Sequence, residues 1–443
     1  MKENYVKDTL RLAIPMMLTQ LLGYAAPVVD TVMAGRESPQ VLASVALGAQ
    51  LLGFVLLFGI GIAVAITTSV ARYHGAHHSV GVRRSFQQGL WLSALLAVLV
   101  TVGILVIAYV PYVIGTDKVV ADGVRDYLWI LSLGVGAMTF AQGARFFLEG
   151  VQYPNTAVWV QLALIPCNIV GNYIFLKGFW WIPPMGVRGM AIATTLCFWL
   201  YAYLMLRAVV KNPRWASYRL FQSFAPIDFK HIKEFVRVGL PIAIANMLEV
   251  GLFTAVGLLV SRGGAVQTSA NQIALNYASL TFMLPLGLAY VLTSRIGYFK
   301  GAKNQSALRY VALSGMALGG GLMLVFVVLV SLYGEVIARW YSLDAEVVAL
   351  TVEILAVVAW FQLFDGIQVC AAGVLRGLQE TRSAMMFALI GYWALGFPLG
   401  LLLAYGFDYG AVGLWAGIAV GLAVNACLAV WKVWHVIGEK TTE

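Results

Sequence analysis

Three carboxylates stand where carboxylates are expensive. Asp30 lies in the apolar run AAPVVDTVMAG, Glu249 in ANMLEVGLF and Asp365 in WFQLFDGIQV. An ionised side chain at the centre of a bilayer costs at least about 2.5–3.5 kcal/mol, so acids in such runs have a function to serve. No lysine or arginine reaches a comparable depth in any long apolar run, which argues against a buried structural ion pair. Polar residues gather around two of the acids. Gln362 and Gln368 fall one helical turn either side of Asp365, and Asn246 falls one turn before Glu249. Gln272, Asn276 and Ser279 recur at helical spacing in another run, and together these groups predict a hydrated pocket in the second half of the chain. In the first half, Asn168 and Asn172 share one helix face. Each offers a carbonyl oxygen to a hard cation, or a hydrogen bond to a neighbouring helix. Pro27 cannot donate to the carbonyl of Gly23, which predicts a bend close to Asp30.

Other reactive side chains carry less. His74, His77 and His78 sit beside Arg72, Arg83 and Arg84 in a basic loop and are read as solvated. Cys167, Cys197, Cys370 and Cys427 lie in apolar runs without a CxxC pair and are read as buried small hydrophobes. There is no Ser/His/Asp or Cys/His constellation and no phosphate-binding loop. The reading is therefore of a protein that is not an enzyme, with no catalytic residue, no cofactor and no resident metal.

The elements that must position these groups follow from composition. Of 443 residues, 61% are apolar and 11% charged, with mean hydropathy +0.84, which suits a chain solvated by lipid. Apolar runs of spanning length can be drawn at about 10–34, 42–71, 84–110, 124–147, 155–178, 186–211, 233–260, 269–298, 306–333, 346–375, 382–405 and 411–436. The expected fold is all-α: about twelve transmembrane helices with only short loops. With these crossings, 22 of the 29 Lys and Arg fall in the tails and even-numbered loops and 7 on the other side. The positive-inside rule then places both termini in the cytoplasm. That distribution explains the formal charge of +9 without a nucleic acid partner, since no basic stripe with interleaved aromatics occurs. Asn212 to His231 mixes Arg214, Arg219 and Lys230 with Trp215, Tyr218 and Phe221, which fits an interfacial connector against the inner leaflet.

The second half repeats the first at an offset of 226 to 227 residues. Ile14-Pro15 matches Leu240-Pro241, Gly61 matches Gly287, Thr67 matches Thr293, Gly75-Ala76 matches Gly301-Ala302, and LEGVQ at 148–152 matches LRGLQ at 375–379. Six spans per repeat make the halves parallel, so the expected organisation is a lobe at 1–211, a linker at 212–232 and a lobe at 233–443, around a central cavity. The acids are not repeated. Glu249 aligns with Gly23, Asp30 with Val256 and Asp365 with Met138, so each half carries an ionisable site of its own.

VVDTVMAG at 28–35, LPIAIANMLEVGLF at 240–253, NQIALNYASLTFMLPLGLA at 271–289 and FDGIQVCAAGVLRGLQETRS at 364–383 closely resemble the multidrug and toxic compound extrusion family, in particular its NorM-type bacterial members. The likeness covers essentially the whole chain. It implies a multi-pass secondary antiporter of a bacterial inner membrane that expels lipophilic, often cationic, organic compounds by alternating access, in exchange for Na+ or H+. It implies a cation site at Glu249 and Asp365 in the second lobe, and another at Asp30, Asn168, Asn172 and Thr194 in the first. Gln272, Asn276, Phe282, Phe361 and Gln362 are the expected substrate-cavity residues, and the protein is expected to be a monomer. Phe361 departs from the family pattern, which has a tyrosine in the corresponding YQ-like pair. Without the phenol, one neutral oxygen is missing beside Asp365, which should weaken Na+ more than a proton and shift reliance to protons or to Asp30. Two other readings are weighed. A lipid-linked saccharide flippase should need a more cationic interior, and a polytopic membrane enzyme or scaffold should show clustered catalytic groups or a large tail.

Overall fold

The computed structural model describes residues 5–439. Among them are twelve helices long and apolar enough to cross a membrane. In the first half these are α1 Tyr5–Gly35, α2 Pro39–Gly75, α3 Ser79–Val113, α4 Lys118–Gly150, α5 Asn155–Lys177 and α6 Val187–Lys211. In the second they are α7 Phe229–Ser261, α8 Ala265–Gly301, α9 Gln305–Tyr341, α10 Ala345–Leu378, α11 Thr381–Gly406 and α12 Gly410–Gly438. The fold is the expected all-α membrane architecture. Within a bilayer only closed helical hydrogen bonding satisfies the backbone of runs this apolar. The chain ends whose cytoplasmic placement the charge count predicts, Lys2 and Lys440 included, lie outside the described residues.

Helix ends are set by local chemistry. Ser38 caps α2, its Oγ accepting from the Val41 amide at 3.2 Å, with Pro39 at the first helical position. Asp117 and Asp344 cap α4 and α10 through the amides of Val119 at 3.0 Å and Glu346 at 2.9 Å. The repeat reaches down to the turns. After α2, His77 is left-handed (φ 51°) and His78 Nδ1 accepts from the Gly81 amide at 3.0 Å. At the matching place after α8, Lys303 is left-handed (φ 55°) and Asn304 Oδ1 accepts from the Ala307 amide at 3.0 Å. Likewise Gln152 and Gln379 close α4 and α10 in left-handed conformations (φ 59° and 64°). His78 is thus a helix cap, and His74 Nδ1 meets the Tyr218 hydroxyl at 2.7 Å, so two of the three histidines read as solvated have structural partners instead. Of the cysteines read as buried, Cys167 and Cys427 are exposed. An apolar face turned to lipid accepts a small thiol as readily as a core does.

The chain forms two compact units: Leu18–Ala243, and Met1–Met17 with Ile244–Glu443. The division falls inside α1 and α7, each a continuous helix. Two glycines matched by the repeat serve these helices. In one unit a Cβ added at Gly61 of α2 would lie 2.5 Å from Ala243 Cα of α7. In the other, a Cβ added at Gly287 of α8 would lie 2.6 Å from Met17 Cα of α1. Small residues at such crossings let backbones touch. Two further matched ties lock the halves internally. Thr67 Oγ1 donates to the Phe146 carbonyl at 3.1 Å, and Thr293 Oγ1 to the Gly373 carbonyl at 3.0 Å. Gly61→Leu and Gly287→Leu are therefore expected to destabilise the folded protein by about 1–3 kcal/mol each through overpacking. Thermal unfolding in detergent checks this, with Gly53→Leu as a control because a Cβ there meets nothing within 4 Å.

The small-residue seam of α12 packs on α11. A Cβ at Gly413 would lie 2.7 Å from the Ala404 nitrogen, and one at Gly391 would lie 2.5 Å from the Gly421 carbonyl oxygen. Along this contact α11 widens into two π-helical stretches, Leu389–Gly396 and Leu402–Gly406. Such widenings recur where a helix must re-aim side chains at a functional site.

Candidate functional site

In the second half, four helices bring one polar cluster together. Glu249 of α7 is half-buried and Asp365 of α10 is buried. Although far apart in sequence, the two carboxylates lie within electrostatic reach of one another. The π-helical stretch of α11 carries buried Tyr392, which feels both acids, and Asn425 of α12 interacts with its hydroxyl. Neither Glu249 nor Asp365 forms an ion pair among the described residues. The Trp393 indole, next along α11, donates to the Leu248 carbonyl at 3.0 Å and so ties α11 to the turn of α7 that bears Glu249.

A base just beyond the drawn span nevertheless acts on one of the acids. Arg376, close to the end of α10, is only 8% exposed, and its charge acts on Glu249. Its guanidinium lies over the Tyr290 ring, 5.9 Å from the centroid. A buried pair missed in the first half is Arg145–Glu149 in α4, with Nε to Oε1 at 2.8 Å. The repeat held a signal for both residues, because Arg376 occupies the position matched by Glu149. Tyr392 and Asn425 carried no such signal. Each is a single polar residue in an apolar run.

The expected cavity residues divide. Gln362 is fully buried, and its Nε2 donates to Thr281 Oγ1 at 2.6 Å, a partner that spacing did not suggest. Its Oε1 is buried with no hydrogen-bond partner among the described residues. Gln272 and Asn276 lie on a more open face of α8, bonded to each other at 3.3 Å, and Phe282 is half-buried. Phe361 is 4% exposed and packs edge-on to Phe253 and Trp415, both with ring centroids at 6.0 Å. In this conformation it packs in the apolar cluster shared by α7, α10 and α12. Trp415 is fixed in turn by donating from Nε1 to Asn271 Oδ1 at 2.9 Å.

In the first half Asp30, Asn168 and Asn172 come together. Asn172 Nδ2 donates to Asp30 Oδ1 at 2.6 Å and to Asn168 Oδ1 at 3.2 Å, and Asn168 also interacts with Asp30. All three side chains are buried. Gly171 makes the approach of α6 possible, since a Cβ there would already lie 3.1 Å from Ala193 Cβ, next to Thr194. Asn172 Oδ1 and Thr194 Oγ1 are buried oxygens with no hydrogen-bond partner among the described residues. Such atoms are costly unless something fills them. Tyr127 of α4, buried and within electrostatic reach of Asp30, is a neighbour the sequence did not indicate. A carboxylate surrounded by neutral amide and hydroxyl oxygens suits a proton or a hard monovalent cation.

The sequence profile of the MatE family matches residues 15–174 and 241–402, one match in each repeat and both beginning at the 226-residue offset. The chain belongs to the MatE family. Along nearly its whole length this MatE-family chain is 35% identical to a probable multidrug resistance protein NorM of Mesorhizobium japonicum, with 96% of this chain and 93% of that protein covered. It is 35% identical to the multidrug resistance protein MdtK of Yersinia pseudotuberculosis, with 96% and 94% covered. Its fold is similar to the crystal structure of the eukaryotic MATE transporter AtDTX14, with a TM-score of 0.86 at 23% identity over 98% of both chains. The MatE-family chain is thus a membrane transporter and not an enzyme.

Proposed function

We propose that this transporter exports lipophilic, often cationic, organic compounds across a bacterial inner membrane, in exchange for inward-moving Na+ or H+, by alternating access. On this reading it works as a monomer with both termini in the cytoplasm. The observation that carries the proposal is the pair of half-buried Glu249 and buried Asp365, which lacks an ion-paired base among the described residues. Two carboxylates within electrostatic reach of one another in an apolar surrounding call for positive charge, and a proton, Na+ or a cationic substrate can supply it. When the coupling ion and the substrate favour opposite conformations, downhill ion entry drives uphill export. The Asp30, Asn168, Asn172 and Thr194 cluster offers the same chemistry in the first half. The names of the NorM and MdtK relatives support a range of drug-like substrates.

The test is efflux of a lipophilic cationic dye from proteoliposomes under separately imposed Na+ and proton gradients. Dye movement against its own gradient in response to an ion gradient is expected, and its absence under both gradients would reject the reading. Because Phe361 puts a phenyl ring where a phenol oxygen would stand, the proton gradient should drive the larger share of transport. Phe361→Tyr should then gain response to Na+. A wild type driven strongly by Na+ and indifferent to pH, with no gain in the variant, would overturn the coupling assignment.

A further inference from the structure

The connector between α6 and α7 is built with more care than a linker needs. Gln87 and Gln88, on the first turns of α3 and almost wholly buried, bind its backbone. Gln87 Nε2 donates to the Leu220 carbonyl at 2.9 Å, and Gln88 Nε2 to the Pro226 carbonyl at 2.9 Å. In return the amides of Ala225 and Asp228 donate to the Gln87 and Gln88 side-chain oxygens at 3.2 and 2.8 Å. Trp91 Nε1 donates to the Ala225 carbonyl at 3.1 Å. Five hydrogen bonds therefore hold the segment rigidly against α3.

The rigid segment and α3 border an open cleft of about 540 Å3, lined among others by Arg83, Arg84, Asp228 and Lys230. That volume lies within the range of small-molecule sites. Its one acid is already committed. Asp228 Oδ2 binds Arg84 at 2.7 Å and His231 Nδ1 at 2.9 Å. The Arg84 guanidinium first, and then His231, holds this carboxyl down to about 2, so it is ionised at any physiological pH. Arg83 and Lys230 form no ion pair among the described residues. The site thus presents two uncompensated cations in a preformed pocket. Beside it the connector and the start of α7 expose Phe221, Phe224 and Phe229, the last 72% exposed. Aromatic side chains left open at the end of two membrane helices fit the boundary between headgroups and acyl chains.

We propose that this cleft binds the phosphate of an anionic phospholipid, with Arg83 and Lys230 as its ligands and the exposed phenylalanines under the acyl chains. A lipid, and not a soluble phosphate, is the occupant because the aromatic rim has no use for a ligand without a tail. Basic pockets at the ends of membrane helices are where anionic headgroups are recognised. The site is independent of the transport reading, because no residue of the carboxylate clusters takes part.

The purified full-length protein in detergent is titrated with short-chain phosphatidylglycerol, short-chain phosphatidylcholine and glycerol phosphate, following tryptophan fluorescence. Phosphatidylglycerol should bind and the other two should not. Arg83→Gln and Lys230→Gln should each weaken binding about fivefold, and the double variant about twenty-five-fold. Arg83→Lys with Lys230→Arg keeps the charge and should keep the binding. Lys303→Gln with Arg382→Gln removes two exposed cations elsewhere and should change nothing. Equal loss in that control, equal binding of phosphatidylcholine, or glycerol phosphate binding as tightly as the lipid would each overturn the proposal.

Discussion

Glu249→Gln and Asp365→Asn are each expected to reduce ion-driven dye efflux to the level of protein-free vesicles while leaving membrane insertion and folding intact. The amides keep the size of the carboxylates but cannot carry charge, and coupling requires a group that is neutralised by the ion and exposed again when it leaves. The two variants are not equivalent. Removing the Asp365 charge leaves Glu249 with Arg376 as its remaining charged neighbour, whereas removing the Glu249 charge leaves Asp365 without one. Asp365→Asn should therefore be the better tolerated of the two in thermal unfolding, since a buried charge without a counter-charge is the more costly. Full gradient-driven efflux by either variant would remove the pair from the mechanism.

Asp30→Asn is the second large effect. Its carboxylate accepts a short hydrogen bond from Asn172 at 2.6 Å in a buried setting. Losing a hydrogen bond to a charged group of this kind corresponds to about a ten- to a hundredfold change in an equilibrium, and transport should fall by a comparable factor. Asn172→Ala should impair it too, because the alanine withdraws the donor that orients Asp30. Direct binding of Na+ or release of protons, measured by calorimetry in buffers of different ionisation enthalpy, separates this site from the Glu249–Asp365 pair. If Asp30→Asn transports normally across neutral pH, the cluster is a structural hydrogen-bond network and the second half alone couples ion to substrate.

Much of this protein was legible before any fold. The penalty for burying charge acts residue by residue, so Asp30, Glu249 and Asp365 identify themselves wherever their helices end up. Span length and the repeat are also one-dimensional properties. They gave twelve helices and matched positions that recur as matched contacts, Gly61 on Ala243 and Gly287 on Met17. Which faces meet was not legible, and the reason is physical. Lipid is as apolar as a protein core, so hydrophobic periodicity in a membrane helix does not say which side turns inward. Val98 and Leu133 are exposed while Val100 and Leu131, neighbours in the same helices, are buried. For that reason the packing of Phe361 against Phe253 and Trp415 was not legible, and Tyr392 and Arg376 went unnoticed. Sequence alone determined that this is a duplicated, twelve-span chain with three acids in its apolar runs. Tertiary structure decided that Glu249 comes within electrostatic reach of Asp365 and that Asn172 reaches Asp30, because those pairings depend on where glycines and widened helices let backbones approach.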